Sequence, residues 1–95
     1  MAAYVVVMRE RTRDPEQLAL YAERKKTASV GHAMTVLAWH GRHEVVEGPE
    51  IEAAAILEFP SFEAAKAWYT APAYQKVLPF RLNGGDYRCV IIDGS

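Results

Sequence analysis

Three short runs of the chain carry apolar side chains at both parities: Ala3 to Met8, Ala53 to Phe59 and Tyr87 to Ile92. Their length and their content of Val, Ile and Tyr suit strands, and apolar residues on both parities predict strands that are covered on both faces. Between them, Asp14-Pro15-Glu16 predicts a helix start, with Asp14 as N-cap and Pro15 at the first helical position, where its missing N–H costs nothing. Leu18, Tyr21 and Ala22 form the inward stripe of that helix. It is expected to run to about Val30, with Arg24, Lys25 and Lys26 at the negative end of its dipole and Gly31 as its stop. Met34 to Trp39 and Arg42 to Val46 predict one further strand, bent or bulged at Gly41, followed by a turn over Glu47 to Glu50. Ser61 caps a second helix with Ala64, Ala65 and Trp68 inward. Pro72 then restarts a short helical segment through Val77, Pro79 is expected to disturb it, and Gly84-Gly85 to turn the chain into the last strand.

The order is β-α-β-β-α-β, the ferredoxin-like arrangement: an α+β fold with a four-stranded antiparallel sheet, expected as a single domain over residues 1–95. Two helices cover only one sheet face. The other is apolar as well, so the pattern predicts a second copy packed against it, a symmetric homodimer through sheet faces. Chain length points the same way. A 95-residue chain that is 51% hydrophobic is expected to retain roughly 5,500 Å² of surface when folded alone, with a core that has little to spare.

Charge narrows the partners. With 11 basic against 12 acidic residues there is no cationic stripe to neutralise a row of phosphates, so nucleic acid is not an expected partner. The apolar opening run is far shorter than a membrane span and is ended by Arg9, Glu10 and Arg11, and it lacks the features of a secretory signal, so no membrane is expected either. The lone Cys89 permits no intrachain disulfide, which fits a reducing cytoplasm.

From Glu58 onward the chain reads EFPSFEAAKAWY, then Ala71-Pro72-Ala73-Tyr74-Gln75 and Arg81. These residues closely resemble the signature of the family called domain of unknown function 1330, and the likeness extends over essentially the whole chain. It implies the dimeric α+β barrel fold, a second copy of the sheet closing on the first. The wider superfamily contains cofactor-independent monooxygenases, lactone isomerases and haem-dependent enzymes, so the likeness selects no reaction. The second strand departs from the family pattern: Trp39 stands at an expected Arg and His40 at an expected Gly, with Arg42 as a candidate replacement for that Arg.

Reactive residue types are densest over Trp39 to Glu44. His40 is the candidate general base or proton shuttle, with Trp39 as an apolar wall for a planar ligand; its competing role is that of a polar residue at a bend. Tyr21, Trp68, Tyr69 and Tyr74 have spacings that suit packing, yet a cavity between helices and sheet would let tyrosine hydroxyls and Arg81 form a polar end suited to a carboxylate or enolate. Trp39, Tyr69, Arg81 and Tyr21 are therefore the expected ligand contacts. Glu58 and Cys89 are expected as a paired or solvated carboxylate and a small buried hydrophobe. His40 and His43 would converge on a metal only across a bulge, and nothing singles out a haem ligand, so neither metal nor cofactor is expected. The expected protein is a small homodimer with one small-molecule pocket per subunit, either a cofactor-independent enzyme of proton-transfer, isomerase or monooxygenase type, or a non-catalytic binding or interaction module.

Overall fold

A computed structural model describes residues 1–95. β1 (Ala3–Thr12) lies at the centre of a four-stranded antiparallel sheet between β3 (Ala53–Phe59) and β4 (Gly85–Asp93), with β2 (Thr35–Trp39) outside β3. The sheet order β2-β3-β1-β4 is that of the ferredoxin-like fold. α1 (Pro15–Arg24), α2 (Phe62–Thr70) and α3 (Pro72–Gly84) supply the helices.

Local chemistry sets the helix starts. The Asp14 carboxylate accepts from the Glu16 amide at 3.1 Å, and the Ser61 hydroxyl oxygen accepts from the Ala64 amide at 3.0 Å, each satisfying a donor that the first turn leaves open. Ala71 precedes a proline and is extended, which ends α2; Pro72 then opens α3.

Register separates the two sheet faces. Val5 pairs with Leu57 and Ile91, and Ala3 with Phe59, so these side chains share the helix-covered face, where they meet Trp68, Tyr74 and Leu78. Phe59 is 1% exposed and its ring centroid lies 5.3 Å from that of Trp68. The opposite face carries Val6, Ile56, Val90 and Ile92, of which Ile92 is 56% exposed. Total surface is 6243 Å², more than the roughly 5,500 Å² of a typical monomer of this mass.

Four local expectations are corrected. α1 ends at Arg24 and tightens into a 3-10 turn, Lys25–Thr27, instead of running to Val30. The tightening buries Ala28 and brings the Ser29 hydroxyl to the Trp68 indole N–H, which donates to it at 3.1 Å. β2 stops at Trp39, because His40 takes a left-handed backbone (φ 49°) that turns the chain away; Arg42 to Val46 form no strand, and Val46 is exposed. Pro79 does not break α3, which continues to Gly84. Gly84-Gly85 is a point of close approach and not a turn: a Cβ on Gly84 would lie 2.5 Å from Leu18, and its carbonyl accepts from the amides of Arg13 and Asp14.

The expected bulge at Gly41 occurs earlier in the strand. Val36 pairs with Leu57 and Ala38 with Ile56, so β2 spends two steps where β3 spends one. A one-residue slip exchanges the faces of everything beyond it. Val36 and Trp39 therefore both face the helices.

Candidate functional site

Between α1, α3 and the covered sheet face lies a cavity of about 740 Å³, within the range that holds a small organic ligand. Its walls are mostly apolar. Val7, Val36, Ala55 and Leu57 form the sheet side, Leu18 the α1 side and Trp68 the α2 side.

The inner end is built by α3 and β4. Because α3 runs through Pro79, Arg81 is held in the helix and points inward, 4% exposed. Its Nε and Nη1 are buried and make no hydrogen bond. The Tyr87 ring lies 4.7 Å from the guanidinium carbon and the Tyr74 hydroxyl is close enough to interact with the charge, but the ring contact, worth about 0.5–2 kcal/mol, leaves Nε and Nη1 unsatisfied. A guanidinium does not shed its charge, so this is a buried cation without a counter-ion, a costly arrangement unless an anion joins it. Beside it the Tyr74 and Tyr21 hydroxyls lie 2.7 Å apart. Burial raises both phenols above their ordinary value, against the charge of Arg81, so both stay protonated. Burial likewise pushes the Cys89 thiol up, opposed by Arg81, and it is not an activated nucleophile.

At the mouth, the inverted β2 presents Trp39, and His40 stacks on it with ring centroids 4.5 Å apart. Burial, then the charges of Arg9 and Lys25, hold His40 below its ordinary value. The imidazole is therefore neutral near pH 7 and able to accept a proton. Lys25 reaches over both aromatic residues, its Nζ 3.5 Å from the Trp39 ring centre and 5.5 Å from that of Tyr21.

The lining includes Arg9, Lys25, Lys26 and Arg81 and no Asp or Glu. In a chain with more acidic than basic residues, this concentrates positive charge inside an apolar chamber. Arg9 is answered at the rim by Glu52, 3.0 Å away; Arg81 and Lys25 take part in no ion pair.

Of the residues singled out from sequence, the structure brings Tyr21, Trp39, His40 and Arg81 to one cavity. Tyr69 lies outside it, its ring packed 5.5 Å from Tyr74. Tyr74 is the residue that pairs with Tyr21. Arg42 is exposed and does not line the cavity, Glu58 faces away on the open side, and Cys89 lines the wall. Lys25 was not among the expected contacts, although a signal existed: it falls seven residues after Leu18, on the spacing of the apolar stripe. No group of three His, Cys, Asp or Glu side chains is placed to hold a metal ion, and no helix is long and apolar enough to cross a membrane.

Comparison with known proteins adds the fold's relatives. The family model described as domain of unknown function (DUF1330) matches residues 2–95. No curated protein matches the sequence. Among solved structures, a protein of unknown function from Rhodopseudomonas palustris is 18% identical with a TM-score of 0.72, over 99% of this chain and 82% of its own. A dimeric ferredoxin-like protein of unknown function from Thermobifida fusca is 11% identical with a TM-score of 0.66, over 99% and 92%. SnoaB, a cofactor-independent oxygenase from Streptomyces nogalater, is 7% identical with a TM-score of 0.61, over 99% and 93%. At these identities the likeness establishes the ferredoxin-like fold.

Proposed function

The chain belongs to the DUF1330 family, and within it we propose that this member binds a small organic anion with a flat apolar body, as a homodimer with one pocket per subunit. The observation that carries the reading is Arg81, buried and without a counter-ion at the end of an apolar cavity that holds no carboxylate. A carboxylate or enolate oxygen would satisfy the idle N–H groups, and the Tyr21–Tyr74 hydroxyl pair would donate beside it. The apolar body would then lie along Trp39 and Trp68 toward the mouth, where neutral His40 waits as a proton acceptor. This arrangement suits proton transfer on an acidic carbon without a cofactor; a cofactor-independent oxygenase is among the proteins that share the fold. The homodimer would form through the open sheet face, where Leu37, Ile56, Val90 and Ile92 are exposed. That a structural relative is described as dimeric supports it.

Titration with benzoate, followed by tryptophan fluorescence, tests the pocket against uncharged benzyl alcohol. Benzoate is expected to bind, and Arg81→Met to weaken it roughly ten- to a hundredfold, because a charge-assisted hydrogen bond contributes about 1.5–3 kcal/mol. The same variant is expected to melt no lower than the parent in the absence of ligand, since it removes an uncompensated buried charge. Equal binding of the two probes, or an Arg81→Met protein that binds benzoate unchanged, would overturn the reading.

A further inference from the structure

We propose that Lys25 is a carbonyl-capturing amine, so that the pocket's ligands are organic acids bearing an aldehyde or ketone, held at the acid by Arg81 and condensed at the carbonyl with Lys25. The inference deepens the anion-pocket reading and rests on it.

Four observations converge. Lys25 opens the 3-10 turn that follows α1, seven residues after Leu18, and its half-buried side chain lines the cavity. Its amine lies over two aromatic faces, Trp39 at 3.5 Å and Tyr21 at 5.5 Å, and takes part in none of the ion pairs. Burial brings its pKa down to about 8, with no ion pair to hold the proton, while the aromatic faces favour a cationic nitrogen, which a protonated C=N also supplies. Its neighbour Lys26 is exposed and has no such wall. Finally, the buried Arg81 lines the same cavity, and Tyr21 links the two neighbourhoods: its ring faces Lys25 and its hydroxyl meets Tyr74, which interacts with Arg81. One ligand can thus engage a fixed charge and a nucleophile at once.

The chemistry is balanced without an added reagent. The lone pair of the neutral amine adds to the carbonyl carbon, and the C=O π electrons move to oxygen, which takes up a proton. The amine nitrogen then loses its remaining proton as the oxygen departs in water, leaving a C=N bond. Hydrolysis returns amine and carbonyl. While the link exists and is protonated, it withdraws electrons from the adjoining carbon, and the neutral imidazole of His40, stacked on Trp39, is the proton acceptor at that end.

The test uses 4-carboxybenzaldehyde with cyanoborohydride, which reduces the C=N bond to a stable secondary amine, read by intact mass and peptide mapping. Lys26, Lys66, Lys76 and the Met1 amine are internal controls. Labelling of Lys25 is expected to exceed that of each other lysine about tenfold, to vanish in Lys25→Arg, and to slow in Arg81→Met and under excess benzoate. Labelling that follows exposure, with Lys26 ahead of Lys25, overturns the proposal. So does Lys25 labelling that ignores both Arg81→Met and benzoate. Benzoate titration of the same preparations separates the two failures: if benzoate binds and needs Arg81 while Lys25 stays unlabelled, the anion pocket stands and the amine's role falls. If benzoate does not bind at all, both fall. Benzoate binding by Lys25→Arg also reports that this variant is folded.

Discussion

Ile56 and Phe59 lie three residues apart on β3 and face opposite sides of one sheet. Phe59 is sealed against Trp68 under the helices, whereas Ile56 is 37% exposed among other apolar side chains on a face that no element covers. The covered face is uneven: tightly packed around Phe59, hollow toward Trp39, and lined with cations where it is hollow. The open face is different, with aliphatic Val6, Ile56, Val90 and Ile92 grouped together and Tyr4, Glu58 and Arg88 on the same side. A surface that must recognise a small anion needs depth and placed charge, whereas one that meets its own copy needs flatness and symmetry. Both demands produce apolar residues, so hydropathy alone does not tell the faces apart.

Substitution does. Phe59→Ala is expected to cost about 3–5 kcal/mol, read as a large drop in thermal or denaturant stability, because the packed end of the covered face cannot collapse around the loss; a change near zero would mean that this end is not a core. Ile56→Asp is expected to leave each subunit folded and to weaken the dimer by at least roughly 2 kcal/mol, the scale of a central interface residue. Light scattering at micromolar concentration should then report a monomer, and an undisturbed dimer would move the interface elsewhere. The smallest effect belongs to the rim that both faces share, where Arg11 and Arg13 meet the Asp86 carboxylate, each at 2.8 Å. The Arg11 hydrogen bond, opposed by desolvation and joined by the Arg13 hydrogen bond and the charges of both arginines, holds this carboxylate below its ordinary value. The contribution is therefore present above the unfolded value of about 3.9 and is lost as pH falls through the lower, folded one. Asp86→Asn should lower the melting temperature by only a few degrees at pH 7, a difference that shrinks in acid below that window. A difference constant with pH would mean that the ion pairs contribute nothing.

Much of this architecture was legible in one chain. Val-rich runs of both parities, Asp14-Pro15 and Ser61 specify strands and helix starts by chemistry that acts over a few residues, and the order βαββαβ follows from them. Of the cavity, Tyr21, Trp39, His40 and Arg81 were legible as residue types. What placed them was not. Pro79 reads as a breaker, yet the helix passes through it, and only that passage turns Arg81 inward. Tyr69 and Tyr74 are equivalent in composition, and the break between α2 and α3 at Ala71-Pro72 decides that Tyr74 meets Tyr21. Lys25 satisfies the helix dipole so naturally that its second relation, the stripe shared with Leu18, is easily passed over. Each miss concerns a choice made by contacts distant in sequence.

The extra residue that β2 inserts between Val36 and Ala38 gives strand register an unusual leverage. Were β2 to pair with β3 in strict alternation beyond Val36, Trp39 would stand opposite Ala54 instead of Ala55 and turn to the open side of the sheet, taking its indole from the pocket wall. A slip of one residue in that pairing would strip the aromatic wall from the cavity with no change of residue chemistry. Among relatives, it is the presence of this bulge, more than the residue at any one position in the strand, that should track with whether the pocket is walled.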